Sequence, residues 1–445
     1  MINSNQSLLN NGKSPLTPLN KGGINCHRLL VISNGHGEDI IAVKILQELC
    51  KAFDSQASSQ KIDITALPMV GEGFAYQKTN IPLLGRVQKM PSGGFVYMDS
   101  RQLWGDIKSG LLSLTINQYQ QVKQWCKPGD GLILAVGDIL PLLWAWLSGV
   151  DYFFVGTAKS EYYLRDDEGF LKDISAIDRF SGSIYYPWER RLMANKKCLG
   201  VFPRDTITAD SLQSYGIQAY DFGNPMMDDI DIPSPFPQNN DPDYTLKVLL
   251  LPGSRFPEAL DNWRLILTAV DTLLTIHDLD LIFLGAIAPS LDISKFTDIL
   301  QKFQWFTDSE KSVKIPIEDP DKIILTKQKA QLILSQNNYA QCLQYCDISI
   351  AMAGTATEQF VGLGKPVIAF AGNGAQYNAK FAQNQSRLLG ISLQLVDNPQ
   401  QVKAKLQQLL SNPDLWQSIS INGKKRLGSA GSAKKIADKL LEKLT

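Results

Sequence analysis

Short apolar runs alternate along the chain with longer stretches whose apolar positions recur every three or four residues. That alternation marks βα units, in which parallel strands are covered by helices on both faces. In the first half the runs predict strands at residues 28–33, 63–66, 131–136, 152–155 and 200–202, with helices notably at 39–52, 103–126 and 187–196. A second series of strands begins at 247–251 and continues at 281–284, 322–326, 348–351, 367–370 and 392–396. Between the two series, residues 229–244 (DIDIPSPFPQNNDPDY) are dense in Pro, Asp and Asn, as an interdomain linker is. The expected organisation is two α/β domains, at 28–228 and 245–430.

Three segments stand outside that series. Residues 1–27 are rich in Asn, Ser, Gly and Pro and hold no apolar run, so they read as a disordered leader and not as a signal peptide. Residues 431–445 place Ala433, Ile436, Ala437, Leu440, Leu441 and Leu444 on one helical face, which can bury itself by packing back on the first domain. The most apolar stretch, 139–150 (ILPLLWAWLSGV), falls short of the roughly 20 residues a spanning helix needs. It reads as a buried helix, with a membrane-dipping patch as the alternative.

Composition narrows the chemistry. The 445 residues carry 44 Lys and Arg against 44 Asp and Glu, and this zero net charge gives no reason to expect nucleic acid as a partner. The six cysteines are scattered without a CxxC, which fits neither a disulfide framework nor a zinc ribbon and makes a reducing cytoplasm the default. With three histidines and no HExxH, a histidine-based metal site is not expected. The DxD triplets, such as that at 319–321, read as loops, so no metal is assigned to them. Chemistry must then lean on backbone amides, carboxylates and one histidine.

In open parallel sheets, ligands bind beyond the carboxyl ends of the strands, so the strand-to-helix turns carry the candidates. The first turn is Asn34-Gly35-His36-Gly37 followed by Glu38 and Asp39, with glycines for a tight turn and acids at the positive end of a helix. His36 is the one histidine on such a turn, and an imidazole there can accept a hydroxyl proton near neutral pH. Asp138 follows the strand at 131–136 and is either a helix cap or a carboxylate aimed into the cleft. In the second series, Gly253 and Ser254 can present amides to an anion while Arg255 forks onto a phosphate. Gly354, Thr355, Ala356 and Thr357 are small residues at a helix start and leave several amides open to a diphosphate, with Glu358 and Gln359 following. Asn373, Gln376 and Asn378 form a polar loop suited to sugar hydroxyls, or a solvated helix start.

Taken together, these turns resemble the GT-B glycosyltransferases, and most closely lipid-A-disaccharide synthase and the lipid-A-disaccharide-synthase-related family. The resemblance rests on Leu251-Pro252-Gly253-Ser254-Arg255 with Glu258, on Gly354-Thr355-Ala356-Thr357, on Gly364-Lys365-Pro366-Val367, on Gly223-Asn224-Pro225 with Asp228, and on Pro187-Trp188-Glu189. It departs at the first turn, where the family has a GEASGD-like motif and this chain is closer to the glycine–histidine turn of MurG-type enzymes. It departs again at Glu358-Gln359, where the synthase has Leu-Glu.

The resemblance implies two Rossmann-like parallel-sheet domains facing a central cleft, with the acceptor on the first and a nucleotide sugar on the second. The activity it implies is inverting transfer of a sugar from a UDP-sugar to a lipid-linked or glycolipid acceptor, without metal or other cofactor. His36 or Asp138 would take the acceptor proton, Arg255 and the amides at 354–357 would stabilise departing UDP, and Glu358 or Gln359 would hold the ribose. Tyr185, Tyr186, Trp188, Arg190, Arg191, Lys196 and Lys197 gather aromatic and basic groups as peripheral docking on the inner face of a membrane would, or simply form a solvated helix face. Two rival functions share the fold: a UDP-sugar 2-epimerase and a non-catalytic nucleotide-sugar-binding protein.

Overall fold

The computed structural model describes residues 26–35, 37–55, 61–85, 111–129, 131–228, 230, 245–307 and 315–444. His36, residues 1–25 of the leader, the linker apart from Ile230, and 103–110 of a predicted helix lie outside them. In the first half the chain forms β1 (Cys26–Ser33), β2 (Lys61–Pro68), β3 (Leu132–Gly137), β4 (Asp151–Gly156), a short hairpin of β5 (Arg165–Asp166) and β6 (Gly169–Phe170), and β7 (Cys198–Pro203). Among the described residues β2-β1-β3-β4-β7 make one sheet in that order, all neighbours parallel.

These strands read as unbroken apolar runs because both faces are covered. Leu30, Ile32, Ile133 and Ala135 share a core with Leu142 and Ala145 of α2 (Ile139–Ser148). Their sequence neighbours Leu29, Val31, Leu134 and Val136 pack with Ala42, Ile45 and Leu46 of α1 (Gly37–Ser55) on the other face. The apolar stretch at 139–150 is thus a buried ten-residue helix, capped by Asp138 and ended by Gly149 at φ 82°.

The second half forms β8 (Thr245–Leu251), β9 (Asp280–Ala286), β10 (Phe306–Thr307), β11 (Ile323–Lys327), β12 (Ala330–Ser335), β13 (Ile348–Ala351), β14 (Val367–Ala369) and β15 (Leu393–Leu395). They lie in the order β10-β11-β12-β9-β8-β13-β14-β15. From β12 to β15 every pairing is parallel. Taken alone, those six strands have the 3-2-1-4-5-6 order of a dinucleotide-binding fold. Two features of this sheet differ from the sequence reading. β10 and β12 are absent from the predicted strands, and β11 is an antiparallel partner of both instead of another member of the βα series. The turn joining β11 and β12 carries Gln328 at φ 55°, without the glycine that ordinarily signals a tight hairpin.

The chain ends in α6 (Ser432–Leu444; α3 to α5 are given below), which returns to the first sheet. Ala433, Ile436, Ala437, Leu440 and Leu444 are buried in the same cluster as Leu29, Val31, Ile45 and Leu46. Burying each Ile or Leu stabilises by about 2 kcal/mol, which a helix this short needs to form at all. The Asp228 carboxylate accepts from the amides of Gly431 (2.9 Å), Ser432 (3.0 Å) and Ala433 (2.6 Å), capping its positive end.

Candidate active site

Strand order reverses between β1 and β3 in the first sheet and between β8 and β13 in the second, and the turns after these four strands are the ones the sequence singles out. After β1 the chain turns at Gly35, whose φ of +121° and position leave no room for a side chain: a Cβ there would lie 2.2 Å from the Val70 carbonyl oxygen. Asn34 stitches this turn to the next. Its amide donates to Val136 O at 3.2 Å, and its Oδ1 receives the Asp138 amide at 3.5 Å.

Three carboxyls gather here, in different situations. Asp39 is buried and receives the Ser33 hydroxyl at 2.6 Å, and Ser33 in turn contacts the Tyr76 hydroxyl at 2.7 Å. Asp138 is buried and receives the Leu140 amide at 3.1 Å as the cap of α2. Burial raises its pKa, against the lowering effects of Asn34, the Leu140 amide and Lys159. Glu38, half-buried on the first turn of α1, receives the Thr157 hydroxyl at 3.2 Å. Burial pushes its pKa up to about 7, opposed by its own backbone amide and Thr157 and reinforced by the charges of Asp138 and Asp39.

In the second domain, the turn after β8 leads to α3 (Glu258–Leu273) and the turn after β13 to α4 (Thr355–Gly362). Gly253, at φ +95°, comes so near the second turn that a Cβ would lie 3.2 Å from Met352 O. Around Gly354 the carbonyls face inward, where Gln385 Nε2, from α5 (Ala379–Leu389), donates to Ala353 O at 3.0 Å and Gly354 O at 3.1 Å. The Thr357 hydroxyl is spent on Ala353 O at 2.6 Å, and the amides of Thr357 and Glu358 return to Gly354 O. The amides of Thr355 and Ala356 remain at the helix start, beside an exposed Thr355 side chain.

The polar loop after β14 joins the same edge. Glu258 receives the amides of Gln376 (3.0 Å) and Tyr377 (2.6 Å), and Arg255 donates to Gln376 Oε1. Asn378 caps α5 through the Phe381 amide at 3.0 Å, while Asn373 and Ser254 are exposed. Glu358 and Gln359 are both engaged. Glu358 pairs with Arg204 at 2.6 Å, and Gln359 bridges the Tyr339 hydroxyl (2.8 Å) and Met226 O (2.9 Å).

Arg204 and Thr157 are absent from the sequence reading. Arg204 follows β7, is buried between the domains, and donates to Thr157 O at 3.2 Å as well as to Glu358. Thr157 follows β4 and bonds Glu38, so Glu38, Thr157, Arg204 and Glu358 form one connected path from α1 to α4. The signal available was their place just past two apolar runs, at the same carboxyl edge as the other turns. On the face with the aromatic and basic residues, Tyr185 is buried, and Glu189 anchors Lys159 at 2.6 Å while Trp188, Arg191 and Lys196 point outward.

Among the described residues no group of three or more His, Cys, Asp or Glu is arranged to hold a metal, and no helix is long and apolar enough to cross a membrane. No family model matches the chain, and no curated protein matches it. Solved structures do resemble it. MurG of Acinetobacter baumannii superposes with a TM-score of 0.53 at 12% identity, over 94% of this chain and 99% of that one. The glycotransferase of kitacinnamycin gives 0.53 at 13% identity, over 95% of this chain and 100% of that one. The Neisseria meningitidis UDP-GlcNAc 2-epimerase, solved with UDP-GlcNAc bound, gives 0.50 at 15% identity, over 93% and 100%. The chain thus has the GT-B fold, with two Rossmann-like domains.

Proposed function

We propose that this protein is an inverting glycosyltransferase, similar to lipid-A-disaccharide synthase, that moves a sugar from a UDP-sugar to a lipid-linked or glycolipid acceptor. One observation carries the reading: an anion-ready helix start, α4, whose neighbouring turn after β8 carries Arg255, is joined through Arg204 to a carboxyl-lined turn in the opposite domain. The Thr355 and Ala356 amides with Arg255 would bind the diphosphate and stabilise the charge that develops as UDP departs. Asn373 and Gln376 would face the donor sugar, and an acceptor lying against Asn34–Asp39 and Asp138 would give up its proton there. Glu358 and Gln359 stay the candidates for the ribose, and using Glu358 would draw it from Arg204. The acceptor would be met at the inner face of a membrane, with Trp188, Arg191 and Lys196 turned outward toward it.

A second reading, UDP-sugar 2-epimerase, is favoured by the closeness of Glu38 and Asp138, since epimerisation needs an acid and a base. Product analysis separates the two. Transfer requires that labelled UDP-GlcNAc or a related UDP-sugar yield labelled glycolipid only with lipid extract present. Conversion of the UDP-sugar alone to its 2-epimer would establish the second reading and defeat the first.

A further inference from the structure

Of the three carboxyls at the end of the first sheet, two are occupied by the fold. Asp39 holds Ser33 beneath Tyr76, and Asp138 caps α2. Glu38 receives, besides its own backbone amide, one side-chain bond among the described residues, from the Thr157 hydroxyl to Oε1 at 3.2 Å. Its Oε2 bonds no side chain among the described residues, and the residue is half-buried on the first turn of α1 at the carboxyl edge of the sheet. Thr157 is itself clamped, its amide to Gly137 O at 3.1 Å and its carbonyl to Arg204 at 3.2 Å.

We propose that Glu38 is the residue that takes the proton from the acceptor hydroxyl, and that Thr157 is its positioning residue. This assignment rests on the transferase reading above. Glu38 Oε2 accepts the proton as the acceptor oxygen bonds to the anomeric carbon and the bond from that carbon to the diphosphate breaks, its electron pair leaving on UDP. The carboxylic acid then loses the proton to water after the products depart. A carboxyl titrating at about 7 is matched to this step at neutral pH. The groups around it are Asp39 on its own helix, Asp138 from the β3 turn with Lys159 acting on it, Tyr76, and Arg204 behind Thr157. His36 lies outside the described residues, and the assignment draws nothing from it.

The test is the pH profile of kcat/KM for the full-length protein with UDP-sugar and lipid acceptor, alongside the UDP Kd by calorimetry. Wild type is expected to gain activity through an acidic limb near pH 7. Glu38→Gln should lose about 100-fold or more in kcat and lose the limb, with an unchanged UDP Kd. Thr157→Val removes a hydrogen bond that favours the ionised carboxylate, so the limb should move to higher pH, and Thr157→Ser should restore it. If Glu38→Gln keeps the rate within threefold and the same limb, the assignment is overturned while the transferase reading stands. If wild type binds UDP yet transfers nothing to any acceptor, the transferase reading falls and the assignment with it.

Discussion

Glu38 leaves a signature in stability that needs no substrate. Its folded pKa of about 7 lies above the ordinary carboxyl value of 4.5, so between those values the folded protein holds a proton that the unfolded chain has released. Folding stability from this group therefore falls as pH rises through that window, and the penalty is complete above 7. Glu38→Gln removes the ionisable group. Its Tm relative to wild type is expected to be higher at pH 8 and to lose that advantage by pH 4, as scanning fluorimetry across pH would read. Asp319 shows the opposite case. Burial alone would raise its pKa, but bonds from Ser335, Asn337 and Asp321 outweigh that and hold it at about 2. The triplet at 319–321 is thus a loop anchor, as its polar context in the sequence suggests.

At the scale of elements, what is legible in the sequence follows from local chemistry. The ends of β1, β3, β8 and β13 show themselves because glycines and small residues follow apolar runs. β12 does not, because a hairpin turned by Gln328 lacks the usual turn residues. The links across the cleft are not legible, since Arg204 meets Glu358 at a separation of 154 residues that no local pattern records. Lys365, in the Gly364-Lys365-Pro366-Val367 turn, has a structural task. Buried, it donates to the carbonyls of Leu343 (2.9 Å), Gln344 (2.6 Å) and Cys346 (2.6 Å), where the helix Tyr339–Tyr345 ends. Lys365→Met leaves those acceptors unpaired and is expected to cost about 3 kcal/mol in denaturant unfolding.

Across the whole molecule, the domains meet through more than the chain connection. Arg204 is buried in its pair with the mostly covered Glu358, Lys425 and Asp167 form an exposed pair at 2.7 Å, and the Arg426 guanidinium lies 3.9 Å from the centre of the Tyr162 ring. Breaking one side of a buried pair costs far more than removing both, because the abandoned charge has no solvent. Arg204→Met alone is expected to lose about 3–5 kcal/mol, and adding Glu358→Gln should recover a substantial part. Simple additivity in that cycle would mean that the pair does not couple the domains.

A UDP-sugar site at the start of α4 is probed by titrating UDP into wild type and Thr355→Asp in a calorimeter. Thr355 is exposed at the first helical position, where an added negative charge favours the helix but repels a diphosphate. Wild type is expected to bind UDP saturably at one site, and Thr355→Asp to keep or raise its Tm while losing that binding. Equal UDP affinity in the two proteins, or no binding by wild type, would contradict the account.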